Sequence, residues 1–69
     1  MSDHVYSVTE IVGSSKDSLE AAMRGAVQTA SGSIRNLEWF EVKEIRGHIA
    51  DGDIAHYQVV MKLGFRYEK

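Results

Sequence analysis

Asp51-Gly52-Asp53-Ile54-Ala55-His56-Tyr57-Gln58-Val59-Val60-Met61-Lys62-Leu63-Gly64-Phe65-Arg66-Tyr67 decides the fold of this 69-residue chain. Asp-Gly is a hairpin turn, because both residues tolerate the positive φ that a two-residue antiparallel connection needs. Behind it, Ile54 to Tyr67 alternates without a break. Ala55, Tyr57, Val59, Met61, Leu63, Phe65 and Tyr67 share one face, and Ile54, His56, Gln58, Val60, Lys62, Gly64 and Arg66 the other. A strand with so continuous an apolar face belongs in the middle of a sheet, under a covering layer.

The strand before the turn runs from Leu37 to about Ala50. With Asp51 and Gly52 as turn residues, Ala50 faces Asp53 and facing residues sum to 103. Phe40 then meets Leu63 and Val42 meets Met61, which are core pairs under a helix. On the reverse face Trp39 meets Gly64, Glu41 meets Lys62 and Ile45 meets Gln58. Arg46 is placed opposite Tyr57, on the helix side, unless a β-bulge turns it outward. A one-residue slip would send Phe40 and Val42 to solvent, so the pattern resists it.

Upstream, Val5 to Val12 reads as a strand with Tyr6, Val8 and Val12 on one face and Glu10 breaking the pattern. Gly13-Ser14-Ser15 punctuates the chain. Leu19, Ala22, Met23, Ala26, Val27 and Ala30 form one apolar helical stripe. Ser15 is a candidate N-cap, with Asp17 and Glu20 as a competing capping box. Ser31-Gly32-Ser33 ends the helix, Gly32 being suited to the left-handed conformation. Gly25 lies mid-helix, where it costs about 1 kcal/mol relative to alanine; tight packing of helix on sheet is the expected reason. The order is β-α-β-β, an α+β fold. The third strand lies between the other two and antiparallel to both, in sheet order 2-3-1, with one helix on one face.

Composition narrows the function. A charged fraction of 26% and a hydrophobic fraction of 43% are those of one folded domain, residues 1–69. A chain this short seldom builds enough core to stand alone. It has no cysteine for disulfides, and His4, His48 and His56 show no zinc-ligand spacing. Assembly with further copies is the remaining remedy. A net charge of −2 and no basic run argue against nucleic acid. No stretch is apolar enough for a membrane span or a signal core, so a cytoplasmic protein is expected. No nucleophile–base pair, paired buried carboxylates or cysteine points to an enzyme. Asp51-Gly52-Asp53 reads as a turn rather than a calcium loop, and His48 and His56 beside it as surface residues rather than metal ligands.

Trp39 is the residue left over. It neighbours Phe40, so a strand sends the two rings to opposite faces, and Trp39 lands on the face the helix leaves bare. Gly64 across from it leaves open space beside the ring, and Gln58 shares the face. An indole in that position serves either as a subunit contact or as a stacking plate for a flat ligand. Composition alone favours the contact.

The run Leu37-Glu38-Trp39-Phe40-Glu41-Val42-Lys43-Glu44-Ile45-Arg46-Gly47, with Tyr57-Gln58-Val59 and Gly64-Phe65-Arg66, resembles the bacterial dodecins. The likeness extends to Gly13 and to Ser18-Leu19-Glu20-Ala21-Ala22, and so covers nearly the whole chain. It implies a small β-α-β-β protein assembling into a hollow homododecamer of cubic symmetry. It further implies a flavin cofactor, FMN or riboflavin, stored and photochemically quenched rather than used in catalysis. In that family two flavins stack between symmetry-related tryptophans, and a glutamine bonds the ring edge. By resemblance Trp39 is the stacking residue and Gln58 the edge reader. Arg46 would serve the FMN phosphate, the ribityl chain or an interface charge. Arg66 matches an arginine that in some members belongs to a coenzyme A surface; the lysine accompanying it is Ser7 here, so that pattern is incomplete. Gly64 and Gln58 are six residues apart, about 20 Å along a strand. One flavin is therefore expected to take Trp39 and Gln58 from different subunits, unless a bulge or strong bend shortens the distance. The alternative remains a purely structural homo-oligomer in which Trp39 seals an interface.

Overall fold

The computed structural model describes residues 3–67. β1 (Tyr6–Ser15), α1 (Leu19–Ser31), β2 (Leu37–Ala50) and β3 (Asp53–Arg66) follow in that order. The sheet runs β1-β3-β2, with β3 antiparallel to both neighbours. Asp51 and Gly52 turn the hairpin with φ of 53° and 76°, the two positive values a type I′ turn requires. Among the described residues no helix is long and apolar enough to cross a membrane.

The core lies between α1 and the central strand. Val59, Met61 and Leu63 are fully buried with Ala22 and Ala30, and Leu19, Met23, Ala26 and Val27 complete the expected stripe. Gly13-Ser14-Ser15 does not break β1, which continues to Ser15. Gly13 is buried against the helix. A Cβ there would overlap the carbonyl oxygen of Ala22 and stand 2.9 Å from the Ala26 Cβ. Close approach of helix and sheet is thus the work of Gly13. Gly25, expected to have that role, is exposed, with nothing within 4 Å of an added Cβ.

The helix ends also differ from the sequence expectation. Ser18 is the N-cap, its Oγ accepting from the Ala21 N–H at 3.0 Å, while Ser15 Oγ accepts from the Asp17 N–H. Ser18→Ala is expected to cost about 1 kcal/mol in denaturant unfolding, and Asp17→Ala much less. Gly32 is right-handed (φ −73°) and closes the helix by donating to Thr29 and Ala30; Asn36, at φ 65°, makes the left-handed step into β2.

Phe40 and Val42 are not under the helix. They face its side of the sheet, but α1 sits over β1 and β3 and barely reaches β2. Phe40 is 52% exposed and Ile45 58%. The register places Ile45 on this same uncovered side. It holds at 103 from Trp39↔Gly64 to Val42↔Met61, then Lys43 is inserted as a bulge and the sum becomes 104. Ile45 therefore meets Val59 instead of Gln58, and Arg46 meets Gln58 instead of Tyr57. An inserted residue exchanges the faces of everything beyond it.

Candidate functional site

The sheet face away from the helix carries every residue singled out by the sequence. Its outer rows are built from all three strands: Val8, Gly64 and Trp39; Glu10, Lys62 and Glu41; Val12, Val60 and Glu44; Ser14, Gln58 and Arg46. Glu10 does not break a pattern here. It belongs to the polar middle of this face, where its carboxylate accepts from Lys43 Nζ at 3.0 Å across β3.

Trp39 is 43% exposed and lies flat on Gly64. A Cβ at Gly64 would overlap Cζ3, Cε3 and Cη2 of the indole's six-membered ring. The glycine is thus the seat of the ring, rather than a gap beside it as the sequence suggested. Tyr6 flanks the ring from β1, with centroids 6.1 Å apart and planes inclined by 34°. Tyr6 and Trp39 together form an aromatic shelf open to solvent on one side. The sequence reading missed Tyr6 because a helical crossover, unlike a tight turn, does not fix the register of β1 on β3.

Gln58 is held by Arg46. The Arg46 Nε donates to Gln58 Oε1 at 3.0 Å, and its Nη1 donates to Glu44 Oε1 at 3.1 Å. This fixes the amide so that Nε2 points away with both its N–H donors, while Oε1 keeps one lone pair. The bulge at Lys43 is what brings Arg46 into this row. Glu44, which no sequence pattern singles out, completes the relay and neutralises the guanidinium. Arg66 is elsewhere, at the β1 end, 3.6 Å from the Glu38 carboxylate. The face therefore holds two separate stations, an aromatic one at Trp39 and Tyr6 and an amide one at Gln58, with five residues of β3 between Gly64 and Gln58.

A family model described as Dodecin matches residues 5–68. A curated Dodecin from Thermus thermophilus is 49% identical over 65 residues, covering 94% of each chain. Among solved structures, dodecin from Streptomyces coelicolor is 55% identical with a TM-score of 0.94, over 100% of this chain and 99% of that one. Dodecin from Streptomyces davaonensis is 50% identical with a TM-score of 0.93, over 99% and 100%.

Proposed function

Because the chain belongs to the dodecin family, we propose that it binds a flavin, FMN or riboflavin, and stores and photochemically shields it within a homododecameric shell. The observation that carries this reading is the indole of Trp39, seated on Gly64 outside the core of its own protomer. An electron-rich plate with one open face suits an electron-poor tricyclic ring. Stacked indole also offers an excited flavin a route of electron transfer, which quenches it. Gln58 serves the pyrimidine edge of the isoalloxazine. One N–H of its Nε2 donates to a ring carbonyl, and the remaining lone pair on Oε1 accepts from the ring N–H. Arg46 acts through Gln58. Arg66, paired with Glu38 at the far end of the face, is the residue left for a phosphorylated second ligand such as coenzyme A. The reading assigns no reaction to the protein.

Titration with FMN and with riboflavin tests it. Flavin emission and Trp39 emission should fall together, and the native mass should be near that of twelve chains. Unchanged emission throughout would leave the structural homo-oligomer as the better reading. The separation of the two stations supports sites shared between subunits. Trp39→Ala and Gln58→Ala proteins should each bind poorly, and shells co-assembled from both should regain part of the binding.

Arg46→Ala separates two roles for the arginine. If it orients Gln58, affinity for FMN and for riboflavin should fall by the same factor, about threefold to tenfold for one orienting hydrogen bond. If it holds the phosphate, FMN alone should suffer. The contact with Gln58 Oε1 leads us to expect the equal loss, measured as paired dissociation constants.

A further inference from the structure

We propose that His48 and His56 form a two-imidazole site for a zinc-class divalent cation on the outer end of the β2–β3 hairpin. Both residues lie beyond the Ser15↔Tyr57 row where β1 ends, so this part of the sheet is two-stranded. They are direct register partners, with ring centroids 5.2 Å apart and planes inclined by 11°.

Two irregularities bound the stretch in which they pair. In the unbulged register set by the turn, His48 would face Ala55 and His56 would face Gly47. Counted from the turn, the shift between Ile49 and His48, with Ala55 as the extra residue of β3, brings the imidazoles into one row, and the Lys43 insertion ends the shifted stretch. Among the described residues neither ring hydrogen-bonds to another protein group. Each neutral imidazole therefore keeps a nitrogen lone pair free to ligate.

The spacing suits the ion. With Zn–N bonds of about 2.0–2.1 Å, two imidazoles on a tetrahedral zinc have ring centres roughly 5 Å apart, close to the separation observed here. The rings must turn about their side-chain bonds to aim at one point, and both are accessible enough to do so, His48 exposed and His56 half-buried. The local charge is also favourable. Residues 44–56 hold Glu44, Asp51 and Asp53 against the single guanidinium of Arg46, which Glu44 already pairs. No group of three candidate ligands occurs among the described residues, so water completes the coordination. A metal here would staple the free end of the hairpin in a chain that has no disulfide to do so.

The test uses the full chain carrying His4→Asn, whose only imidazoles are then His48 and His56. Calorimetric titration with ZnCl2 should show one saturable Zn2+ per protomer, and Zn2+ should protect both histidines together from diethyl pyrocarbonate. His48→Asn and His56→Asn, each added to that background, should each weaken binding by at least about tenfold, with unchanged far-ultraviolet circular dichroism. Absence of saturable binding in the parent, or retention of its affinity by either variant, overturns the proposal.

Discussion

Gly64→Ala is expected to disable the flavin site almost as completely as removal of Trp39 itself. The backbone at Gly64 is ordinary strand, since Gly52 alone among the described glycines has positive φ. Alanine therefore meets no conformational obstacle. The obstacle is the indole, whose six-membered ring occupies the place of the new methyl group. The ring must leave its seat, and the flavin loses its stacking surface. Stacking of a flat heterocycle on one aromatic side chain contributes about 1–3 kcal/mol, so affinity should fall roughly tenfold to hundredfold. Trp39→Ala should lose at least as much. The double variant should bind no more weakly than Trp39→Ala alone, because both changes act through one ring and cannot add.

A second readout needs no flavin. Freed from Gly64, Trp39 should become more accessible to acrylamide, seen as steeper quenching of its emission in the ligand-free protein. Wild-type flavin affinity in Gly64→Ala, together with unchanged acrylamide quenching, would show that the indole is not seated on the glycine in solution. Steeper quenching with wild-type affinity would instead detach the flavin reading from Trp39, leaving the seat intact.

The sheet was legible wherever a local signal forces one answer. Asp51-Gly52 fixes the hairpin, and the unbroken alternation from Ile54 to Tyr67 marks the central strand. From those two, the pairs Trp39↔Gly64 and Phe40↔Leu63 follow by counting, as found. The helix stripe was equally plain. The Lys43 bulge was not, since no glycine or turn residue announces it. Its trace is the spacing of apolar residues on the helix side: Phe40, Val42, then Ile45, a step of three where a regular strand steps by two. That step decides whether Arg46 meets Tyr57 or Gln58, and so whether the amide station exists. The exposure of Phe40 was illegible for another reason. A helix's own stripe shows which side it buries, not which two of three strands it lies over. The N-cap was ambiguous because Ser15, Asp17 and Ser18 all offer a capping oxygen within one turn, and only the start of helical backbone selects Ser18.

One substitution at two glycines should act with opposite signs. Gly13→Ala places a methyl group against the carbonyl oxygen of Ala22 and the Cβ of Ala26. The first of these is helix backbone, so relief requires moving α1 away from β1 and loosening the contacts of Met61 and Leu63. Overpacking of a tight core costs about 1–3 kcal/mol, and the upper end is expected here because no side-chain rotation relieves the clash. Gly25→Ala meets nothing within 4 Å and replaces a poor helix former with the best one. It should stabilise the chain by about 0.5–1 kcal/mol, largely by reducing the freedom of the unfolded state. Denaturant unfolding at one fixed protein concentration compares them, since assembly ties apparent stability to concentration. A destabilising Gly25→Ala would mean that a neighbouring copy rests on that face of the helix. A neutral Gly13→Ala would mean that α1 rides higher over the sheet than the packing of Ala22 on Gly13 indicates.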